Sequence, residues 1–167
     1  MSNQTIALNK FKILEGFNDA QIESFAKKLT PATIEAGVDL FEEGSTGENL
    51  YFLTKGSVKI SQKLPLLSEK MATEIRDKTL IILQEGHYPC FGENGLLSSG
   101  KRKATVTAME DSTFLKFSKQ CLSDMIEEDP QMGVIFLYNL AEIIAERLVK
   151  TNSDVLKLTT ALSIALS

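Results

Sequence analysis

The sequence predicts a mainly β protein: a barrel or sandwich of short antiparallel strands, preceded by a short helix and followed by a long one. Three observations carry this. Between residues 30 and 117, short runs rich in β-branched and aromatic residues alternate with glycine and proline turn signals. On either side of that region the apolar spacing changes to the helical period. The chain has 167 residues, 43% of them apolar and 24% charged, which suits one folded unit with a sizeable core. We therefore expect a single domain over 1–167, with a helical segment at 11–29, the β region at 30–117 and helices at 118–167.

In chain order, Phe11, Leu14 and Phe17 are spaced by three. Asn18-Asp19 then offers an N-cap, and Ile22, Phe25, Ala26 and Leu29 keep one apolar face, so residues 19–29 read as an amphipathic helix that Pro31 ends. Thr33 to Phe41 is β-like around Gly37. Asn49–Thr54 and Val58–Ser61 flank Lys55-Gly56-Ser57, which predicts a hairpin. Residues 62–73 hold Pro65 and polar residues and read as a loop. Lys78–Gln84, Ala104–Ala108 and Ser112–Phe117 complete the strands.

Ser118 is placed to cap a short helix through Ile126, and Asp129-Pro130 is an N-cap followed by a proline at the first helical position. From there Leu137, Ala141, Ile144, Leu148, Thr151, Val155, Leu158, Leu162 and Ala165 follow one another in unbroken steps of four and three. That spacing is a coiled-coil seam, and it predicts a parallel homodimer through residues 137–165. The plainer alternative is a helix lying along its own β region. That alternative accounts poorly for the last turns, because a helix of about 35 residues extends roughly 50 Å.

Composition excludes several classes of function. A net charge of −4 and a pI of about 5.1 argue against a general nucleic-acid binder. Cys90 and Cys121 are too few for a disulfide scaffold or a structural zinc site. His87 is the single histidine and lies in a turn-like Glu-Gly-His-Tyr-Pro run, so histidine-based catalysis and metal barrels have little to draw on. Neither a signal peptide nor an apolar run of about 20 residues is present. We expect a cytoplasmic protein that is not an enzyme, with no metal, no cofactor and no membrane contact.

One stretch carries chemistry. Residues 91–108 read Phe-Gly-Glu-Asn-Gly-Leu-Leu-Ser-Ser-Gly-Lys-Arg-Lys-Ala-Thr-Val-Thr-Ala. Glycines at a loop–helix junction let backbone amides approach an anion. A guanidinium can pair with two phosphate oxygens, and a carboxylate can accept from a ribose hydroxyl. Phosphate beside ribose means a nucleotide. The plain alternative for Lys101-Arg102-Lys103 is a solvated turn.

This run resembles the phosphate-binding cassette of cyclic nucleotide-binding domains, the β-roll modules of catabolite-activator-type regulators, cyclic-nucleotide-dependent kinases and gated channels. The carriers are Phe91-Gly92-Glu93, the Gly95-Leu96-Leu97 turn, Arg102 nine residues after Glu93, and Ala104-Thr105-Val106-x-Ala108. Gly37-x-x-Leu40-Phe41-x-x-Gly44 and Leu50-Tyr51-Phe52-Leu53-x-x-Gly56-x-Val58 are similar to the first half of such a roll, and the likeness spans about residues 11–155. It implies a jelly-roll-like antiparallel β-roll with a long C-terminal dimerisation helix. It also implies a sensor that binds cyclic AMP or cyclic GMP and signals through that helix to an effector protein. Glu93 would take the ribose 2′-hydroxyl and Arg102 the exocyclic phosphate oxygens. Amides around Gly92, Asn94, Gly95, Lys103 and Ala104 would complete the cradle, and Thr151 and Asn152 would meet the base.

The sequence departs from the family pattern at several places. Asn94 stands where an apolar residue is usual, Lys103 where a small one is, and Ser45 where Asp is frequent. The Gly86–Gly92 turn is about two residues longer, and the last helix about one turn longer, than the resemblance implies. The helix-turn-helix domain that follows the roll in activator-type regulators has no counterpart in these residues, so direct DNA binding is not expected. Two other readings remain: an interaction module whose pocket is degenerate, and the sensor part of a transcription regulator.

Overall fold

The structure, a computed structural model, describes residues 8–63, 77–98 and 100–166. Among them the strands are β1 (Thr30–Ile34), β2 (Asp39–Phe41), β3 (Asn49–Lys55), β4 (Ser57–Lys63), β5 (Asp77–Gln84), β6 (Cys90–Phe91), β7 (Thr105–Ala108) and β8 (Ser112–Ser118). The helices are α1 (Asp19–Lys27), α2 (Glu93–Leu97), α3 (Lys119–Glu128) and α4 (Pro130–Ala165). Two four-stranded sheets form, in the orders β1-β8-β3-β6 and β2-β7-β4-β5, and every pairing is antiparallel. Successive strands change sheet at every connection except β4 to β5. That interleaving is the expected jelly-roll-like β-roll with flanking helices.

β3 shows where the core sits. Leu50, Tyr51, Phe52 and Leu53 are buried one after another, so both faces of this strand are covered. Leu50 and Phe52 join a cluster with Phe11, Phe25, Phe117 and Phe136 under the helices. Tyr51 and Leu53 point into the roll with Phe91, Val106 and Phe114. Phe25 ties α1 to this core, lying 4.8 Å from Phe117 and 5.7 Å from Phe52 by ring centroid.

The predicted hairpin across Gly56 is corrected: β3 pairs with β6 and β8, whereas β4 pairs with β5 and β7. Gly56 turns the corner between sheets at φ +91°, and a Cβ there would meet Ser112 Oγ at 2.3 Å. Two β-rich runs around a glycine look alike whether the chain reverses or changes sheet. The predicted 19–29 helix ends at Lys27, and Pro31 lies instead in β1, an edge strand paired only with β8. Of the predicted 62–73 loop, Gln62 and Lys63 belong to β4, and 64–73 lies outside the described residues.

Both terminal caps form as expected. Ser118 Oγ accepts from the Cys121 N–H at 3.1 Å, and Asp129 Oδ1 accepts from the Met132 N–H at 3.0 Å with Pro130 in the first turn. Met132, Phe136, Leu140 and Ile143 anchor α4 to the core, and the buried Asn139 amide donates to the carbonyls of Ile13 and Glu15 at 3.1 and 2.7 Å. From Leu148 to Ala165 every residue of α4 is exposed. The seam residues Leu137, Ile144, Leu148, Val155, Leu158 and Leu162 lie on a face other than the one packed against the roll.

Candidate functional site

The run from β6 to β7 crosses the mouth of the roll. Gly92 takes φ +92° to turn from β6 into the short α2. The chain returns past Gly100 as an extended segment: the Arg102 N–H donates to the Ser45 carbonyl at 2.8 Å, and the Gly44 N–H donates to the Arg102 carbonyl at 2.9 Å. This pairing with residues 44–47 sends the Arg102 side chain inward, where only 4% of the residue is exposed.

Three glycines make room for that guanidinium. A Cβ at Gly47, Gly92 or Gly95 would come within 2.8 to 2.9 Å of one of its terminal nitrogens. Nη1 donates to the carbonyls of Asn49 at 3.1 Å and Gly92 at 3.2 Å, and the group lies 4.1 Å from the centroid of the Phe41 ring. Nε is buried with no hydrogen-bond partner. Burial lowers the Arg102 pKa, and the neighbouring Tyr51 and Glu93 partly oppose that shift. A buried cation with an orphaned donor is half of an ion pair, and an anion entering the mouth would supply the other half.

Above Arg102 a recess of about 440 Å³ of empty space, part of it open to solvent, is lined by Phe41, Phe91, Glu93, Lys103, Val106 and Arg147, among others. Glu93 sits at its wall with its side chain 17% exposed, and its Oε1 forms an ion pair with Arg147 Nη1 of α4 at 2.8 Å. Arg147 Nη2 also donates to the Cys90 carbonyl, so one side chain clamps α4 to the start of the cassette on either side of Gly92. Burial pushes the Cys90 thiol up to about 11, which leaves it a poor nucleophile. Arg147 escaped the sequence reading although it lies close to Thr151 and Asn152. Its signal was a lone arginine one turn before Thr151, unreadable without knowing that α4 passes over Glu93.

The other predicted site residues separate. Gly92, Glu93, Asn94, Arg102, Lys103 and Ala104 all line this recess, with Asn94 and Lys103 exposed. Gly95 is buried below it, and its N–H donates to the Gly92 carbonyl at 3.0 Å, so it contributes space next to Arg102. Thr151 lines an adjoining recess with Leu80, Ile81, Lys150 and Asp154, and the two recesses share Ile60, Glu93 and Arg147. Asn152 is exposed on α4 and lines neither recess. Among the described residues, no three His, Cys, Asp or Glu side chains are grouped to hold a metal ion, and no helix is long and apolar enough to cross a membrane.

Fold and site together define a β-roll with a buried guanidinium and a carboxylate at its mouth. The family model of the cyclic nucleotide-binding domain matches residues 31–129, more than half of the chain. The protein belongs to that family. The CRP-like cAMP-activated global transcriptional regulator of Mycobacterium tuberculosis is 26% identical over 142 residues, which are 85% of this chain and 57% of that regulator. A cGMP-dependent protein kinase of Eimeria tenella is 28% identical over 119 residues, 71% of this chain and 10% of the kinase. The chain thus spans little more than half of the first of these relatives. The crystal structure of the Thermus thermophilus catabolite activator protein shares the fold with a TM-score of 0.74 at 22% identity, covering 89% of this chain and 63% of that one.

Proposed function

We propose that this protein is a sensor that binds a cyclic purine nucleotide, cyclic AMP or cyclic GMP, and passes the event on through α4 in a parallel homodimer. The observation that carries it is Arg102: a buried guanidinium in a glycine cradle, with an unpartnered Nε beneath an open recess. The cyclic phosphate sits on Arg102. The ribose 2′-hydroxyl donates to Glu93, whose Oε2 remains available while Oε1 holds Arg147. The base extends into the adjoining recess toward Thr151, with Asn152 on the exposed face where a second copy of α4 would lie. The role is binding rather than turnover, and no cofactor or metal takes part. Because Arg147 joins Glu93 to α4, nucleotide favours one packing of that helix over another, which an effector protein reads as a population shift. The protein acts in the cytoplasm.

Isothermal titration calorimetry with cyclic AMP and then cyclic GMP tests this. Micromolar or tighter binding is expected for one of them. Arg102→Ala should remove most of it, since losing one partner of a buried charge pair costs about 2–5 kcal/mol. A folded protein that gives no heat with either nucleotide would sink the proposal and favour an interaction module with a degenerate pocket.

A further inference from the structure

Arg102 is flanked by two lysines, and the fold treats them differently. Lys101 is exposed outside the recess, bridged through its backbone to Thr46. Lys103 is also exposed but lines the recess itself, together with Ala104, Glu93 and Arg147. Its backbone is pinned there, because Gln62 Nε2 donates to the Lys103 carbonyl at 2.6 Å. Among the described residues, no hydrogen bond or ion pair engages its ammonium group.

The charges lining the recess are Glu93, Arg102, Lys103 and Arg147, three cations against one carboxylate. The Arg147–Glu93 pair at 2.8 Å cancels itself. Arg102 and Lys103 are left facing the ligand, a pair of positive charges where a cyclic phosphodiester brings only one negative charge. An open phosphate monoester brings about −1.5 to −2 at neutral pH. Arg102, dehydrated and hydrogen-bonded below, binds as a fixed fork, while Lys103, solvated at the rim, binds as a mobile point charge. A phosphate monoester has three terminal oxygens, so two can enter the Arg102 cradle while the third stays at the rim that Lys103 lines.

We infer that Lys103 is a second phosphate-binding cation, and that it extends the ligand range of this recess from cyclic nucleotides to purine nucleoside monophosphates with an open, doubly charged phosphate. The inference rests on the nucleotide reading of the recess. It adds a class of ligand that Arg102 alone does not call for. The phosphate affinity also becomes salt-dependent, because the Lys103 contribution is made at the solvent boundary where mobile ions screen it.

The test is calorimetry with a cyclic purine nucleotide and with the 5′-monophosphate of the same base, at low and at physiological ionic strength. It compares the unmodified protein, Lys103→Ala, Lys103→Arg and the control Lys101→Ala, which removes the same charge outside the recess. We expect Lys103→Ala to weaken the monophosphate about tenfold and the cyclic nucleotide about threefold, with a shallower salt dependence for both. Lys103→Arg should restore both affinities, and Lys101→Ala should leave them within about twofold. Equal effects of Lys103→Ala and Lys101→Ala would overturn the inference, since net charge alone would then account for them. So would binding of the cyclic nucleotide with none of the monophosphate. Absence of binding by both ligands would overturn the nucleotide reading and this inference with it.

Discussion

Arg147 reaches both Glu93 and the Cys90 carbonyl, so it decides which way the Glu93 carboxylate faces. With one oxygen held by a guanidinium, the carboxylate would meet a ligand at little further loss of rotamer freedom. Replacing the arginine by methionine keeps the apolar stem and removes the clamp. We expect Arg147→Met to weaken a cyclic ribonucleotide about tenfold while changing its 2′-deoxy analogue much less, an order of effect set by one charge-assisted hydrogen bond. Paired titrations of the two ligands measure that ratio, and equal losses would place the role of Arg147 in folding rather than in orienting Glu93. At this scale the cassette was readable in the sequence. Gly92, Glu93, Gly95 and Arg102 lie within eleven consecutive residues, and local spacing alone brings them together. Gly47 lies 55 residues before Arg102 and Arg147 lies 45 after it, and nothing in their own neighbourhoods marks them.

α4 behaves as two half-helices. Its first half is set by burial: Phe136 and Leu140 are almost wholly enclosed, and Asn139 spends its amide on two carbonyls of the N-terminal segment. Its second half keeps Leu148, Val155, Leu158 and Leu162 between 52 and 60% exposed on one face. An isolated helix gains little from propensity alone, and tertiary or quaternary packing of its apolar face normally supplies its stability. The pairing of two such faces in parallel is therefore the proposed role of this half. Introducing like charges into the seam with Val155→Glu and Leu158→Glu should convert a dimer into a monomer, with the roll still folded, as sedimentation equilibrium and circular dichroism would report. A dimer that persisted in that variant would remove the seam from the proposal. The 4-3 spacing was legible in the sequence, but which face of α4 packs on the roll was not, because apolar residues occupy both.

Across the whole molecule, the two cores are linked through β3, whose alternate side chains enter one core and then the other. The proposed ligand at the mouth of the roll would touch both sheets and α4 together, through Phe41, Phe91 and Arg147. Its binding free energy should therefore appear as global stability. At a hundredfold excess over the dissociation constant, cyclic nucleotide would stabilise the native state by about 2.7 kcal/mol. For a chain of this size that corresponds to a rise in Tm of about 5–10 °C in a thermal scan, and Arg102→Ala should show no such rise.

The sequence by itself determined the class of fold, the helix caps at Ser118 and Asp129, the seam spacing and the grouping of Gly92, Glu93 and Arg102 at one recess. All of these are encoded in residues close together in the chain, where period, capping chemistry and fixed spacing act directly. Only the tertiary structure decided that Gly56 is a corner between sheets, that Pro31 lies in an edge strand, that Gly47 completes the arginine cradle and that Arg147 closes over Glu93. Each of those depends on which distant segments pack together. Packing of that kind is set by the burial of the whole apolar surface, and no short stretch of the chain encodes it.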